Sequence, residues 1–225
     1  MKVIFEDNHL LGVYKPAGLP VQGDSSGDRS LLDLAKAYVK ERYNKPGAVF
    51  MGLVHRLDRP VSGVVLLART SKALERMNAQ FRNREVKKTY WAITKERPYP
   101  IEGHLVHYIR KDKSKNRSHA YERLSRRQSD AKKAELDYRL ISEIDGYCLV
   151  EVKPLTGRPH QIRVQLAALG CPIVGDLKYG YRTARPSGNI LLHSHSLEFV
   201  HPVKKTPVLI QALPEDDDLW SLFTS

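Results

Sequence analysis

Two short apolar runs open the chain, Lys2 to Phe5 and Leu10 to Tyr14, and the polar turn between them predicts a β-hairpin. The turn-rich Lys15-Pro-Ala-Gly-Leu-Pro and a loop, Gly23-Asp-Ser-Ser-Gly-Asp, come next. Ser30 then caps a helix, because Asp33 stands three residues on and Leu31, Leu34, Ala35, Tyr38 and Val39 recur at helical spacing. Leu53-Val54 and Val64 to Ala68 read as strands. Ser71 to Asn83 reads as a second helix with Leu74, Met77 and Phe81 on one face. Further strands are expected over Lys88 to Thr94, His104 to Ile109, Ala134 to Ile141 and Tyr147 to Val152, several of them alternating. A third helix runs from Pro159 to Leu169, with proline in its first turn, Ile162, Leu166 and Leu169 buried, and Gly170 as its stop. Strands over Ile190 to Val200 and Val208 to Leu213 finish the pattern.

Strand pairs interleaved with isolated helices imply an α+β fold, a large mixed, mostly antiparallel β-sheet flanked by helices and loops. No repeat or linker divides the chain, so one domain over residues 1–225 is expected. Arg110 to Asp130 reads as the one long irregular interruption.

With 225 residues, 41% of them hydrophobic, the chain can bury a substantial core. Cys148 and Cys171 have neither CxxC spacing nor enough partners for a disulfide framework, which makes them reduced packing residues. The N-terminus lacks an apolar signal region and no apolar run reaches membrane-spanning length, so the expectation is a soluble cytoplasmic protein without membrane contact. Charge alters the picture more. Lys and Arg total 37 against 25 Asp and Glu, a formal charge of +12, and such an excess attracts polyanions, of which nucleic acid is the commonest. Between Arg110 and Lys133 ten Lys/Arg face three acids, a local +7, whereas Glu215 to Asp218 is acidic. A basic run can be a solvated loop, but the whole-chain charge favours phosphate contact.

The site patterns of nucleotide hydrolases, dinucleotide-binding proteins, zinc proteases and serine hydrolases are all missing from the chain. His193 and His195 share a strand face but lack an evident third ligand, so they read as packing or hydrogen-bonding residues, and no metal is expected. Three segments carry candidate chemistry. His55-Arg56-Leu57-Asp58 sits at a corner before Pro60 and Gly63, where a carboxylate either faces a cleft or merely caps a turn. Leu155-Thr-Gly-Arg-Pro-His-Gln-Ile-Arg places Arg158, His160, Gln161 and Arg163 in a glycine turn and the first turns of a helix, with Arg163 at the border of the buried stripe. Lys88-Thr-Tyr-Trp-Ala puts Lys88, Tyr90 and Ala92 on one strand face, an arrangement that serves as a base-stacking platform or as ordinary core.

Together these segments closely resemble the RluA family of RNA pseudouridine synthases. The resemblance runs from Lys15-Pro-Ala-Gly-Leu-Pro-Val through HRLDRPVSG, KKTYWA and LTGRPHQIRVQL to Gly175-Asp-Leu-Lys-Tyr-Gly and Leu192-His-Ser-His-Ser-Leu-Glu-Phe-Val-His-Pro, nearly the whole chain. It departs from the family pattern at Val61 and Pro159, where threonine is usual, and at Gln165, near which histidine is common. No S4 RNA-binding domain of the kind that precedes the catalytic part in many relatives is expected, and the catalytic part is expected to recognise RNA by itself.

The resemblance implies a pseudouridine synthase-like fold and isomerisation of specific uridines in structured rRNA or tRNA, with the target base flipped out of its stack. It makes Asp58 the catalytic residue, Tyr90 the residue that contacts the base, and Arg163 the arginine that pairs with the catalytic carboxylate. Arg56 then holds the RNA around the flipped base, and His55, Arg158, His160 and Gln161 line the substrate side. Arg59 is left as a surface or phosphate contact. The reaction breaks and remakes a glycosidic bond without adding water, so one carboxylate suffices where hydrolases use two. No cofactor is expected, structured RNA is the partner, and the enzyme is expected to act as a monomer. Two other readings remain open at this point: an RNA-binding protein without catalysis, which would bind in a salt-sensitive way, and a glycosylase, which would release free uracil.

Overall fold

In the computed structural model, residues 1–23, 27–215 and 219–224 are described; Asp24 to Ser26 of the expected loop and Asp216 to Asp218 of the acidic tail lie outside them. The chain forms two compact units, one of residues 1–87 and 194–215, the other of residues 88–193 with the C-terminal segment.

In the first unit, β1 (Lys2–Glu6) and β2 (Leu10–Lys15) pair antiparallel as the expected hairpin. Asp7 makes the turn, its Oδ1 accepting the backbone N–H groups of His9 and Leu10 at 2.8 Å each. β2 and β4 (Ser62–Ala68) are buried at every position, which explains their continuous apolar runs. The short β3 (Gly52–Leu53) pairs with the far end of β4. α1 (Leu31–Arg42) starts at a capping box: Ser30 accepts from the Asp33 N–H and Asp33 accepts from the Ser30 N–H. α2 (Ser71–Arg82) starts at Thr70, whose hydroxyl accepts from Ala73. Leu10, Leu66, Met77 and Phe199 centre a core against which Leu74 and Phe81 of the expected helix face pack. Each such large side chain, fully buried, is worth about 1.5–3 kcal/mol.

β10 (Leu192–Val200) and β11 (Pro207–Gln211) pair antiparallel, and the order within this unit is β1-β2-β4-β10-β11. Gln80 of α2 closes the end of β10, its amide donating to the Val200 carbonyl at 2.8 Å and accepting the Val200 N–H at 3.2 Å. Gly63 enters β4 at a φ of +119°, and a Cβ there would strike the Ser194 backbone, so only glycine allows this approach.

In the second unit the strand order is β5-β9-β8-β6-β7, with antiparallel neighbours throughout. The strands are β5 (Lys87–Thr94), β6 (Glu102–Asp112), β7 (Arg117–Tyr121), β8 (Lys132–Ile144) and β9 (Tyr147–Pro154). Asp145 and Gly146, both with positive φ, make the tight β8–β9 turn. α3 (Gln161–Ala168) packs on this sheet through Val164, which joins Ile109, Ala134 and Tyr179 in one cluster. The α+β class and the large, mostly antiparallel sheet are thus as expected.

The segment from Arg110 to Asp130 is not the irregular interruption expected. β6 continues to Asp112 and turns through Lys113 to Asn116 into β7, and a short 3-10 turn at Arg126–Gln128 lies between β7 and β8. Dense charge hides the alternation: Ile109, Ser118 and Ala120 share one face with Lys111, and Arg110 and Arg117 take the other. Leu169 also departs from expectation, being only half-buried, whereas all of Gln161 to Leu166 is buried. Cys148 and Cys171 are buried free thiols. Burial pushes Cys171 up to about 11, so the thiolate is strongly disfavoured there. His193 packs edge-on to Trp220 at 6.0 Å, and His195 bonds the Ala212 carbonyl at 3.1 Å. Among the described residues no helix is long and apolar enough to cross a membrane.

Candidate active site

Asp58 lies in the connection between β3 and β4, where the Val61 N–H bonds the Asp58 carbonyl at 3.1 Å and closes a four-residue turn. A second turn is locked onto it. Gly18 donates its N–H to the Arg59 carbonyl at 2.8 Å, and the Arg59 guanidinium returns a bond to the Gly18 carbonyl at 2.9 Å and pairs with Asp28. Arg59 therefore clamps the two turns while remaining exposed.

Lys15 sits beneath this clamp with no solvent exposure. Its Nζ donates to the carbonyls of Pro16 at 3.0 Å, Leu19 at 2.8 Å and Arg59 at 3.1 Å. Burial pulls this lysine down to about 7; the Asp58 carboxylate acts in the opposite sense and Arg59 adds to the fall. Three carbonyls match the three donors of an ammonium, so the protonated form is the one the local geometry satisfies in full. The segments Lys15-Pro-Ala-Gly-Leu and Leu57-Asp-Arg-Pro, about 40 residues apart in sequence, are thus one hydrogen-bonded unit around Asp58.

His55 is held by the chain. Its Nε2 accepts the Leu66 N–H at 3.0 Å and its ring stacks on Phe81, centroids 5.2 Å apart at 17°. That bond leaves the proton of the neutral ring on Nδ1. Arg56 is exposed and Asp58 partly so.

The other sequence candidates belong to the second unit. Tyr90, half-buried, faces Val152 across the β5–β9 ladder. Arg158, His160, Gln161 and Arg163 are brought together at the start of α3. Gln161 is 4% exposed and organises the turn: its Oε1 accepts from the Thr156 hydroxyl at 2.7 Å and the Arg158 N–H at 3.0 Å, and its Nε2 donates to the Glu135 carbonyl at 3.0 Å. Its amide therefore shapes the loop that presents Arg158 and His160. Arg158 is tied by Nε to the Lys133 carbonyl at 3.0 Å. His160 takes the left-handed conformation, φ 55°, and its Nδ1 lies 2.8 Å from the Tyr179 hydroxyl.

Arg163 is buried rather than at the border of a stripe. Its Nε and Nη2 meet both carboxylate oxygens of Asp176 at 2.7 and 2.8 Å, a fork-to-fork pair that neutralises both charges inside the protein. The guanidinium also lies 5.1 Å from the Tyr179 ring. Tyr179 in turn accepts the Ser118 N–H at 2.7 Å, so Asp176 and Tyr179 hold the arginine and histidine of α3 in place. Sequence reasoning assigns neither residue a role, although both stand in Gly175-Asp-Leu-Lys-Tyr-Gly, and it treats Lys15 as a mere turn residue. Among the described residues no group of three or more His, Cys, Asp or Glu could hold a metal ion.

Comparison with known proteins agrees with these motifs. The RNA pseudouridylate synthase family model matches residues 9–168. The mitochondrial pseudouridylate synthase RPUSD4 of Xenopus tropicalis is 35% identical, with 93% of this chain and 76% of that protein covered. The tRNA pseudouridine synthase C of Vibrio cholerae is 30% identical, with 98% of this chain and 93% of that protein covered. The ribosomal large subunit pseudouridine synthase C of the same organism is 31% identical, and this chain spans only 64% of its length. Among solved structures, the human RNA pseudouridylate synthase domain containing 4 superposes with a TM-score of 0.80 at 27% identity, covering 98% of this chain and 91% of that one. The chain belongs to the RNA pseudouridylate synthases, isomerases that convert uridine to pseudouridine in RNA, and to their RluA type.

Proposed function

We propose that this enzyme isomerises specific uridines in structured ribosomal or transfer RNA with Asp58 as its one catalytic carboxylate, after flipping the target base out of its stack. The observation that carries this reading is the clamp around Asp58. A carboxylate on a turn fixed by Lys15, Gly18 and Arg59 is preorganised, which is what a group attacking C1′ or removing the C2′ proton requires. The uracil stays bound while its attachment moves from N1 to C5, so no water enters and no electrons leave, and the chemistry asks for neither metal nor organic cofactor. The C5 proton released at the end needs an acceptor, and the Tyr90 hydroxyl fits the task of stacking on the base and relaying that proton. Arg163, itself fixed by Asp176, supports the ionised form of the carboxylate. Arg56, exposed on the turn, holds the RNA from which the base has left, with His55, Arg158 and His160 on the substrate side and Gln161 shaping their loop. A stacked uridine hides its reacting atoms, hence the flip. The enzyme works as a monomer.

The test is expression of the wild type and Asp58→Ala in a host lacking the endogenous enzyme, with pseudouridine mapped at single-nucleotide resolution in ribosomal and transfer RNA. Sites that appear with the wild type and vanish with Asp58→Ala are expected. The same sites in both strains, or free uracil released by the purified enzyme, overturn the assignment.

A further inference from the structure

β7 is the outer strand of the second unit, and among the described residues one of its edges is unpaired by any strand. Along that edge, between β7 and α3, lies a cavity of about 280 Å³. Val164, Ala167 and Ala168 of α3 supply its apolar side chains, beside the mostly buried Tyr179. β7 adds cationic and aromatic side chains to the lining, Arg117, His119 and Tyr121. The Ser118 N–H points out of the ladder to the Tyr179 hydroxyl, and by the alternation of an antiparallel pair Ala120 presents its backbone to the same edge. A lining that mixes apolar side chains with donors and acceptors suits a flat heterocycle, whereas a phosphate or a sugar alone would leave Val164, Ala167 and Ala168 unused. At the lower end of small-molecule sites, near 300 Å³, the cavity holds one such ring and excludes a base pair.

Charge selects the source of that ring. Lys111, Lys113, Lys115 and Arg117 all stand exposed around the β6–β7 turn, a field suited to a phosphate backbone. A peptide adding itself as a further strand is disfavoured, because Tyr179 has already taken the Ser118 N–H and α3 closes over the edge. We propose that the cavity between β7 and α3 receives an unpaired base of the substrate RNA, with Arg117 on the adjoining phosphate. The proposal rests on the reading of this chain as an RNA-modifying enzyme and adds to it a second nucleotide site, apart from the one that takes the target uridine. It makes the enzyme selective for RNA with a single-stranded nucleotide near the target, since a paired base offers no free edge. Arg117 lies 5.5 Å from the same Tyr179 ring that Arg163 approaches, so the site adjoins the machinery that fixes Arg163.

The test uses the full chain and two fluorescein-labelled probes at low salt, a uridine hexanucleotide and a short RNA duplex, read by anisotropy. Ala167→Phe fills the cavity, and Ala168→Trp, at an exposed position on its rim, obstructs it should the first variant not fold. Each is expected to weaken hexanucleotide binding about tenfold, the scale of one lost base stack, while duplex binding holds. Equal affinity of wild type and Ala168→Trp for the hexanucleotide overturns the site, as does equal weakening for both probes, which would mean that only backbone charge is sensed. Pseudouridine formation measured alongside separates the two readings. A wild type that isomerises RNA but is indifferent to the cavity variants loses only this site; one whose hexanucleotide binding falls in the variants but which makes no pseudouridine keeps the site and loses the activity.

Discussion

A lysine removed from water is tolerated only where its donors are matched, and Lys15 has a carbonyl for each of three. Replacing it with methionine strands those carbonyls and should cost about 1–3 kcal/mol. The sign of its pH dependence comes from its fall to about 7. From there up to its ordinary value the unfolded chain holds more protons at this position than the folded one, so stability rises with pH across that window. The benefit is complete above the unfolded value and is lost as pH falls through the folded value of about 7. Urea unfolding of wild type and Lys15→Met at neutral and at mildly alkaline pH should therefore show the wild type gaining stability on its variant as pH increases; a constant difference would mean that the folded and unfolded amines titrate alike. Sequence does not reveal this residue. A lysine next to a proline reads as a turn, and its burial depends on Arg59, 44 residues away, which no periodicity reports. Asp176 is hidden for the same reason: its partner Arg163 is on another element, and a lone aspartate after glycine carries no local signal. Asp58, by contrast, stands out because its company of motifs is dense.

The helices and strands with regular patterns are legible, as α1 with its Ser30 and Asp33 box and the β1–β2 hairpin show. The failures come where charge or function overrides periodicity. The β6–β7 hairpin carries charge on both faces, Lys111 beside Ile109 and Arg110 and Arg117 opposite, so its alternation disappears, and α3 is so enclosed that its glutamines and arginine are buried with its leucine. Gln161 exemplifies the second case. Its place in the motif suggests a substrate contact, yet it spends its amide on Thr156, Arg158 and Glu135. Gln161→Leu keeps the volume and removes all three bonds, leaving a buried carbonyl and hydroxyl less well paired. The expected outcome is a loss of about 2–3 kcal/mol in urea unfolding, with weaker RNA binding only as a consequence of a displaced Arg158 and His160. A variant of unchanged stability with weakened binding would instead make Gln161 a direct contact.

At the scale of the molecule, a net charge of +12 makes association with RNA largely a matter of counterion release, and the question is which cations do it. The turn between β6 and β7 is the best placed. Asp112 accepts from the Ser114 hydroxyl and the Lys115 N–H and so fixes the backbone of the tip, while the side chains of Lys113 and Lys115 remain exposed. Removing those two charges leaves the Asp112 bonds and the β6–β7 ladder intact, so any effect on RNA is electrostatic rather than structural. Each phosphate contact contributes about 0.7–0.9 to the slope of log affinity against log salt. The double variant Lys113→Ala with Lys115→Ala should therefore bind structured RNA more weakly at low salt and with a slope shallower by about 1.4–1.8, converging on the wild type as salt increases. Its turnover at saturating RNA should not change, because the tip contributes encounter and grip and not chemistry. An unaltered slope would move the phosphate contacts off this hairpin and onto the other exposed cations of the basic segment, Arg123, Arg126, Lys132 and Lys133.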